Sequence, residues 1–400
     1  MSQINQLIEE LCPEGVEYRA LGLLCVSLKK GTLTQSQLLS EGKYPVMNSG
    51  RTFYGWFDDY NNDSNAIVIA SRGEYAGYIS FINQPFWAGG LCYPYRSKDE
   101  TVVSTKFLYY ALKNEEHFIM GTLVARGSIP ALNKQDIDKL QLPIPPLPVQ
   151  EEIVRILDTF TELETELEAE LEARQQQYEF YKSSLFPSLK DGNVQWCELG
   201  DVGLVTKLAG FEFTKYVSYS DSGDIIALRG LNVKDGHLVL DDVKYIDNSN
   251  LEMLTRSKLK KLDMLFTYVG TVGQVAMIDI DDKYYLAPNV AKVRISDDRF
   301  DPEYVMYYFL TAKFKSEQVE KLLQASSMQN IPMGKIRQFK LPMVSKEHQQ
   351  KVVSILGKFN TICNDISEGL PAEIEARRKQ YEYYRDKLLT FKPLSIEGVA

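Results

Sequence analysis

LPIPPLPVQEEIVRILDTF (Leu142–Phe160) opens a stretch that closes as EARQQQYEFYKSSLF (Glu172–Phe186), and the chain writes both again. The second writing is LPMVSKEHQQKVVSILGKF (Leu341–Phe359), ending EARRKQYEYYRDKLL (Glu375–Leu389). Leu142 and Phe160 recur 199 residues later as Leu341 and Phe359, whereas Arg174 and Tyr178 recur 203 residues later as Arg377 and Tyr381. The second copy therefore holds four extra residues. Four is close to one helical turn, so the insertion is expected to keep the apolar seam on its face. A repeat this long is dealt with before any other signal.

In the first copy the apolar positions are Ile153, Ile156, Phe160, Leu163, Leu167, Leu171, Tyr178, Tyr181 and Leu185. In the second they are Val352, Ile355, Phe359, Ile362, Ile366, Leu370, Ile374, Tyr381, Tyr384 and Leu388. Steps of three and four mostly alternate, which predicts two long helices with a heptad seam. Neither buries its seam alone, so each is the natural partner of the other, and the order of the chain predicts an antiparallel coiled coil. The residues expected to face the partner helix are Ile156, Phe160, Leu163, Leu167 and Tyr178 in one. In the other they are Ile355, Phe359, Ile362, Ile366 and Tyr381. Pro371, beside the insertion, predicts a kink or a break. Thirty-odd residues at ~1.5 Å each make a rod of roughly 50 Å. The glutamates Glu162 to Glu172, at every second position, read either as a solvated face or as a docking surface for a basic partner.

Each helix follows a globular stretch. Ser2 to Leu11 carries Ile4, Leu7, Ile8 and Leu11 at helical spacing and predicts a short amphipathic helix, stopped by Pro13. Ala66–Ala70 reads as a strand and Tyr78–Ile82 as its hairpin return, across the Ser71–Gly77 turn. Lys106–Leu112 reads as a helix. The second stretch repeats this plan, with Asp263–Thr267 and Val275–Ile278 as strands, Gly270 and Gly273 in the turn, and a helix over Glu303–Leu310. The expected fold is α+β: two pseudo-repeated α/β globules joined by two long antiparallel coiled-coil helices. The expected boundaries are 1–142 for the first globule with its N-terminal helix, 143–190 for the first spacer, 191–342 for the second globule, 343–392 for the second spacer and 393–400 for a tail. The helices agree closely and the globules share few side chains outside their framework, so a common scaffold presents two different surfaces.

Four hundred residues with 44% apolar content suffice for two or three domains. The formal charge of −9 argues weakly against nucleic acid, but the acid is concentrated on one helix and leaves room for a local basic face. Cys12, Cys25, Cys92, Cys197 and Cys363 are scattered without a CxxC, which predicts reduced thiols in a cytoplasmic protein. MSQINQLIEEL does not read as a signal peptide, and no apolar run approaches the ~18 residues of a membrane span. No Walker A loop, GxGxxG, GxSxG or HExxH occurs, and Pro145–Pro146 is followed by Leu147 rather than an aromatic. His117, His237 and His348 are too dispersed for a metal cluster. Asp279, Asp281 and Asp282 fall where a hairpin turn is expected. An enzyme acting alone is not predicted, and no cofactor is expected on this chain.

The doubled layout resembles the specificity (S) subunit of type I restriction–modification systems. The carrying residues are Leu142-Pro143-Ile144-Pro145-Pro146-Leu147 with Gln150 and Ile153, and Leu341-Pro342 with Gln349-Gln350 and Val352. Glu172-Ala173-Arg174 to Tyr181 and Glu375-Ala376-Arg377 to Tyr384 support it, as do Gly127-Ser128-Ile129-Pro130 and Asn330-Ile331-Pro332. The second copy departs from the pattern, with Met343-Val344-Ser345 in place of Pro-Pro-Leu. The resemblance covers essentially the whole chain. It implies that each globule is a target-recognition domain reading one half of a split, asymmetric site on double-stranded DNA. It implies that the helices set the spacing and bind two modification (M) subunits, which carry S-adenosylmethionine and methylate adenine at N6, and that restriction (R) subunits complete the nuclease. The S subunit itself is non-catalytic. The competing reading is a coiled-coil protein-interaction adaptor with two ligand-binding globules.

Base readout needs Arg, Lys, Asn and Gln on loops, and backbone positioning needs basic and hydroxyl groups. In the first globule the candidates are Lys29, Lys30, Asn48, Arg51, Ser71, Arg72, Tyr75, Arg126 and Ser128. In the second they are Lys207, Arg229, Asn232, Tyr268, Thr271, Asn289, Gln329, Asn330 and Lys335, with Ser327 and Met328 in the same loop as Gln329. Arg72 and Arg229 are expected on related loops.

Overall fold

The computed structural model describes residues 2–323, 329–365 and 368–394. The chain forms two compact units, one from Met1–Glu168 with Ile374–Ala400 and the other from Ala169–Glu373. The 38-residue helix Leu147–Ser184 gives its first part to one unit and its last part to the other.

In the first unit, Ser2–Leu11 is helical, as its spacing predicts, and Ile4 is fully buried. Strands follow at β1 Glu17–Ala20, β2 Cys25–Ser27, β3 Tyr44–Met47, β4 Gly55–Phe57, β5 Ala66–Ala70, β6 Ile79–Ile82, β7 Trp87–Ala88, β8 Cys92–Ser97 and β9 Gln141–Ile144. A four-stranded sheet has the order β2-β8-β5-β6 and a three-stranded sheet the order β4-β3-β7. All five residues of β5 are buried, as a β-branched run covered on both faces requires. The helix Thr105–Asn114 lays Phe107, Leu108 and Leu112 into the core, and its first turn is capped by Ser104, whose Oγ accepts the Phe107 N–H at 3.1 Å. β1 pairs with β9, Tyr18 opposite Pro143.

The second unit repeats the plan with β10 Gln195–Glu198, β11 Gly203–Lys207, β12 Ile226–Leu228, β13 Lys244–Tyr245, β14 Met264–Thr267, β15 Val275–Met277, β16 Tyr284–Leu286, β17 Val290–Ile295 and β18 Lys340–Met343. Its four-stranded sheet runs β11-β17-β14-β15 and its three-stranded sheet β13-β12-β16, the same orders and the same parallel pairing of the third strand. The helix Pro302–Leu310 starts on Asp301, whose Oδ1 accepts the Glu303 N–H at 2.9 Å. β10 pairs with β18, Trp196 opposite Pro342.

The chain's end closes the first unit. Val16 donates to the Lys392 carbonyl (2.8 Å), Leu394 donates to the Val16 carbonyl (2.9 Å), and the Tyr18 hydroxyl donates to the Phe391 carbonyl (2.9 Å). Gly15 is required there: its φ is +97°, and a Cβ would meet the Lys392 carbonyl oxygen at 2.2 Å.

The helices pair antiparallel inside each unit. In the first, Phe160 meets Tyr384 and Tyr381 of the C-terminal helix Leu370–Leu389, while Arg378 of that helix reaches back to Glu164 and Glu168. In the second, Tyr178 and Tyr181 meet Phe359 of the helix Lys346–Asn364.

Two expectations need correcting. The helix breaks beside Pro371, as that proline predicts, so the extra residues do not form an added turn of one continuous helix: it ends at Asn364 and a new one starts at Leu370, with Pro371 in its first turn, where its missing N–H costs nothing. The apolar seam is not a closed core along its length. Val149, Ile153 and Leu157 are fully buried, at steps of four, because this end of the helix packs into its own domain. Farther along, Leu163 is 39% exposed and Ile362 40%. Ile156, Phe160, Leu167, Ile355 and Phe359 are half-buried, as is Tyr381, and Tyr178 is buried. Ile366 lies outside the described residues. Among the described residues no helix is long and apolar enough to cross a membrane.

Candidate nucleic-acid interface

In each unit the loops that leave the two sheets at one end are tied to one another by main-chain bonds. In the first, Ser71 donates to the Leu91 carbonyl (3.0 Å), Leu132 donates to the Ser71 carbonyl (2.9 Å), and Gly73, at φ +91°, donates to the Pro130 carbonyl (2.9 Å). The Leu91 N–H donates to Asn48 Oδ1 at 2.9 Å, which fastens the loop after β3 to the loop before β8. Arg51 is exposed and lays its guanidinium over Tyr75 (4.9 Å) and Tyr78 (5.6 Å); burial pushes the Tyr78 hydroxyl up from its ordinary pKa. Lys30 lies 5.1 Å over Tyr93, whose hydroxyl donates to the Leu132 carbonyl. Lys30, Asn48, Arg51 and Tyr75 are thus gathered around the turn that carries Arg72, whose backbone bridges Ala131. Lys29 is exposed on the same loop as Lys30, its N–H held by Asn62 Oδ1. Ser71 is buried and its backbone, not its hydroxyl, makes these bonds. Arg126 and Ser128 are exposed, and Arg126 borders a cleft of about 470 Å³ with Glu74 and His117.

In the second unit, Tyr268 donates to the Asn289 carbonyl (3.2 Å), Ile331 donates to the Tyr268 carbonyl (3.0 Å), and Gly270, at φ +80°, donates to the Gln329 carbonyl (3.0 Å). Lys207 lies 5.6 Å over the Tyr268 ring. A cleft of about 580 Å³ gathers Arg229, Thr271 and Asn289 with Phe213, Tyr219 and Lys234. Arg229 Nη2 donates to the Asp242 carbonyl (2.8 Å) and to Asp242 Oδ1 (2.7 Å), and its Nε is buried without a partner. Burial raises the Tyr219 hydroxyl, against the opposing pull of Arg229. Asn330 bridges Val269. Lys335 is exposed on the short helix Met333–Arg337 and does not line the cleft. Ser327 and Met328 lie outside the described residues.

The bond pattern fixes the equivalences. Ser71 matches Tyr268, Gly73 matches Gly270, and Leu91 matches Asn289. Gly89 donates to the Met47 carbonyl as Ala287 does to that of Leu228, so Asn48 matches Arg229. The expectation that Arg72 and Arg229 share related loops is therefore wrong. Arg72 follows β5 and corresponds to Val269; Arg229 follows the centre strand of the other sheet. Asn232 also leaves the candidate set. It is fully buried, its Oδ1 accepts the Arg229 N–H (3.0 Å), and its Nδ2 donates to the Val239 and Asp242 carbonyls (both 2.8 Å). It builds the loop that carries Arg229.

Lys234, Phe213 and Tyr219 were not among the sequence candidates, since nothing in their spacing marks them. Gln150 and Gln349 carry the helical repeat, and that doubling is the signal of a shared role. Asp281 and Asp282 hold a turn: Asp281 accepts the Lys261 N–H (2.9 Å) and Asp282, at φ +63°, pairs with Lys258 (2.6 Å). Among the described residues no group of His, Cys, Asp and Glu is arranged to hold a metal ion.

The family model for the type I restriction modification DNA specificity domain matches this chain twice, over residues 13–174 and 193–376. The chain belongs to the specificity (S) subunits of type I restriction–modification systems. This S subunit is 30% identical over 382 residues to a putative type I restriction enzyme specificity subunit of Haemophilus influenzae, covering 89% of this chain and 93% of that one. It is 29% identical over 382 residues to a type I restriction enzyme specificity subunit of Escherichia coli, covering 88% and 89%. The crystal structure of an S subunit from M. genitalium shares its fold at a TM-score of 0.63 and 17% identity, covering 94% of this chain and 96% of that one. As an S subunit it is the non-catalytic component of such a system.

Proposed function

We propose that the S subunit reads a two-part, asymmetric DNA site, one half per globular domain, and positions two adenine-N6 methyltransferase (M) subunits and the restriction (R) subunits on it. The observation that carries this reading is a single scaffold bearing different side chains at matched positions. Sheet orders, turn glycines and loop bonds agree between the units, yet Asn48 stands where the other has Arg229, Arg72 where it has Val269, and Leu91 where it has Asn289. Asn and Arg present different donor and acceptor patterns to base edges, so two such domains select two different half-sites. Lysines and arginines on tyrosine faces supply cationic contacts for the phosphate backbone. S-adenosylmethionine belongs to the M subunits in this reading. Mapping N6-methyladenine in cells that express this chain with its M partner tests it. Two short halves separated by one fixed gap are expected; a continuous motif, or no methylation, overturns the reading.

A further inference from the structure

Among the described residues, Gln150 and Gln349 are the only fully buried polar side chains in the long helices, and each makes the same three bonds. Gln150 Nε2 donates to the Val102 and Pro145 carbonyls (2.9 and 2.7 Å), and its Oε1 accepts the Ser104 N–H (2.9 Å). Gln349 Nε2 donates to the Arg299 and Val344 carbonyls (2.8 and 3.0 Å), and its Oε1 accepts the Asp301 N–H (2.7 Å). Ser104 and Asp301 are the capping residues of the domain helices Thr105–Asn114 and Pro302–Leu310. Pro145 and Val344 lie at the joint between the last strand of each domain and the long helix that follows. One amide therefore clamps three things in each unit: the start of a domain helix, the segment before it, and the root of the long helix. Every partner is a main-chain group. That explains how one residue serves both units although the partners differ in identity, Val102 against Arg299 and Ser104 against Asp301.

We propose that Gln150 and Gln349 are positioning residues that fix the angle at which each DNA-reading domain is carried on its helix, and so the gap between half-sites that the complex accepts. This rests on the two-part reading above. A buried amide with both ends satisfied is directional, whereas apolar packing alone lets a helix root slide or rotate. Removing it leaves two carbonyls and one N–H without partners, enough to populate alternative carriage angles.

The test uses the full-length chain co-expressed with its M partner, with Gln150→Met and Gln349→Met as separate variants. Methionine keeps the unbranched volume and deletes the amide. Gln150→Glu and Gln349→Glu keep the acceptor and remove at least one of the two donors. N6-methyladenine mapping is expected to show the wild-type half-sites unchanged, while methylation at gaps one base pair longer or shorter rises by at least about tenfold. A folded variant complex that keeps the single wild-type gap overturns the proposal. So does a variant that loses base preference within a half-site at an unchanged gap. If neither Met nor Glu folds at either position, the residues serve stability and the proposal falls. A wild-type chain that yields no two-part motif overturns the two-part reading of the DNA site instead.

Discussion

Phe160 packs against Tyr384 at a ring-centroid distance of 5.5 Å, and the pairing returns in the second unit, where Phe359 lies 5.4 Å from Tyr181. The second contacts match as well, Phe160 to Tyr381 at 6.4 Å and Phe359 to Tyr178 at 6.3 Å. These are the same residues of the sequence repeat used reciprocally: the phenylalanine of one copy meets the tyrosines of the other. Each unit therefore holds its helix pair by one phenylalanine between two tyrosines. Phe160→Ala and Phe359→Ala are each expected to destabilise by about 2–4 kcal/mol. Double-mutant cycles with Tyr384→Ala and Tyr181→Ala should return couplings of about 1 kcal/mol, measured by urea unfolding. Additive effects would show that the rings are neighbours without interaction.

Arg378 spans Glu164 and Glu168 at 2.5 Å each. The Glu164 carboxylate beside it, with Glu168, raises the guanidinium further above its ordinary pKa. The arginine is 54% exposed, so the pair is screened. Arg378→Ala is expected to cost less than about 1 kcal/mol, and the cost should shrink as salt is added. A loss that is large and independent of salt would mean that the stem of Arg378, rather than its charge, holds the helices.

The long helices and the two-domain plan were legible in the repeat because side-chain periodicity follows directly from helix geometry. Which stripe faces which neighbour was not. Val149, Ile153 and Leu157 satisfy helical spacing as well as Ile156, Phe160 and Leu163 do, and only the packed domain decides that the first set is buried. The loop candidates show the same limit. Arg72 and Arg229 look alike as arginines beside glycines, but strand pairing sends them to different sheets. Asn232 looks like a reader in the sequence, yet its amide satisfies the loop that presents Arg229. A polar side chain's availability depends on what the backbone around it leaves unpaired, which spacing does not record.

The cores carry many buried hydroxyls and thiols, which sets the alkaline limit of stability. Burial pushes Tyr307 and Tyr381 from 10.0 up to about 12, and Cys25 and Cys92 from 9.0 up to about 12. A folded state that holds these protons more tightly than the unfolded chain is stabilised in full below the unfolded values and loses that stability as pH rises through the folded ones. The urea midpoint is therefore expected to fall between about pH 9 and pH 12, with little change between about pH 7 and pH 9 from these groups. Tyr381→Phe should remove part of the alkaline loss from the first unit. A midpoint flat up to about pH 12 would contradict the burial of these groups.

Arg229 and Asn48 stand at matched positions, and each is held from behind. Asp242 grips the Arg229 guanidinium at 2.7 Å, and the Leu91 N–H holds Asn48 Oδ1 at 2.9 Å. A side chain already oriented loses little entropy when it meets a base, which is the condition for discrimination. Arg229→Ala is expected to relax one base pair in one half-site by about 1–3 kcal/mol and Asn48→Ala one base pair in the other. Lys207→Ala should instead weaken binding to all sequences and lower the salt slope by about one. Methylation mapping reads the first two and binding across a salt series reads the third. Asn232→Ala separates reading from building: it should lower stability by about 1–3 kcal/mol by leaving the Arg229 N–H and the Val239 carbonyl unpaired and the Asp242 carbonyl to Arg229 Nη2 alone, and disturb only the half-site that Arg229 reads. If Arg229→Ala disturbed both half-sites equally, or if Asn48→Ala and Arg229→Ala acted on the same half, the two positions could not be matched readers in separate domains.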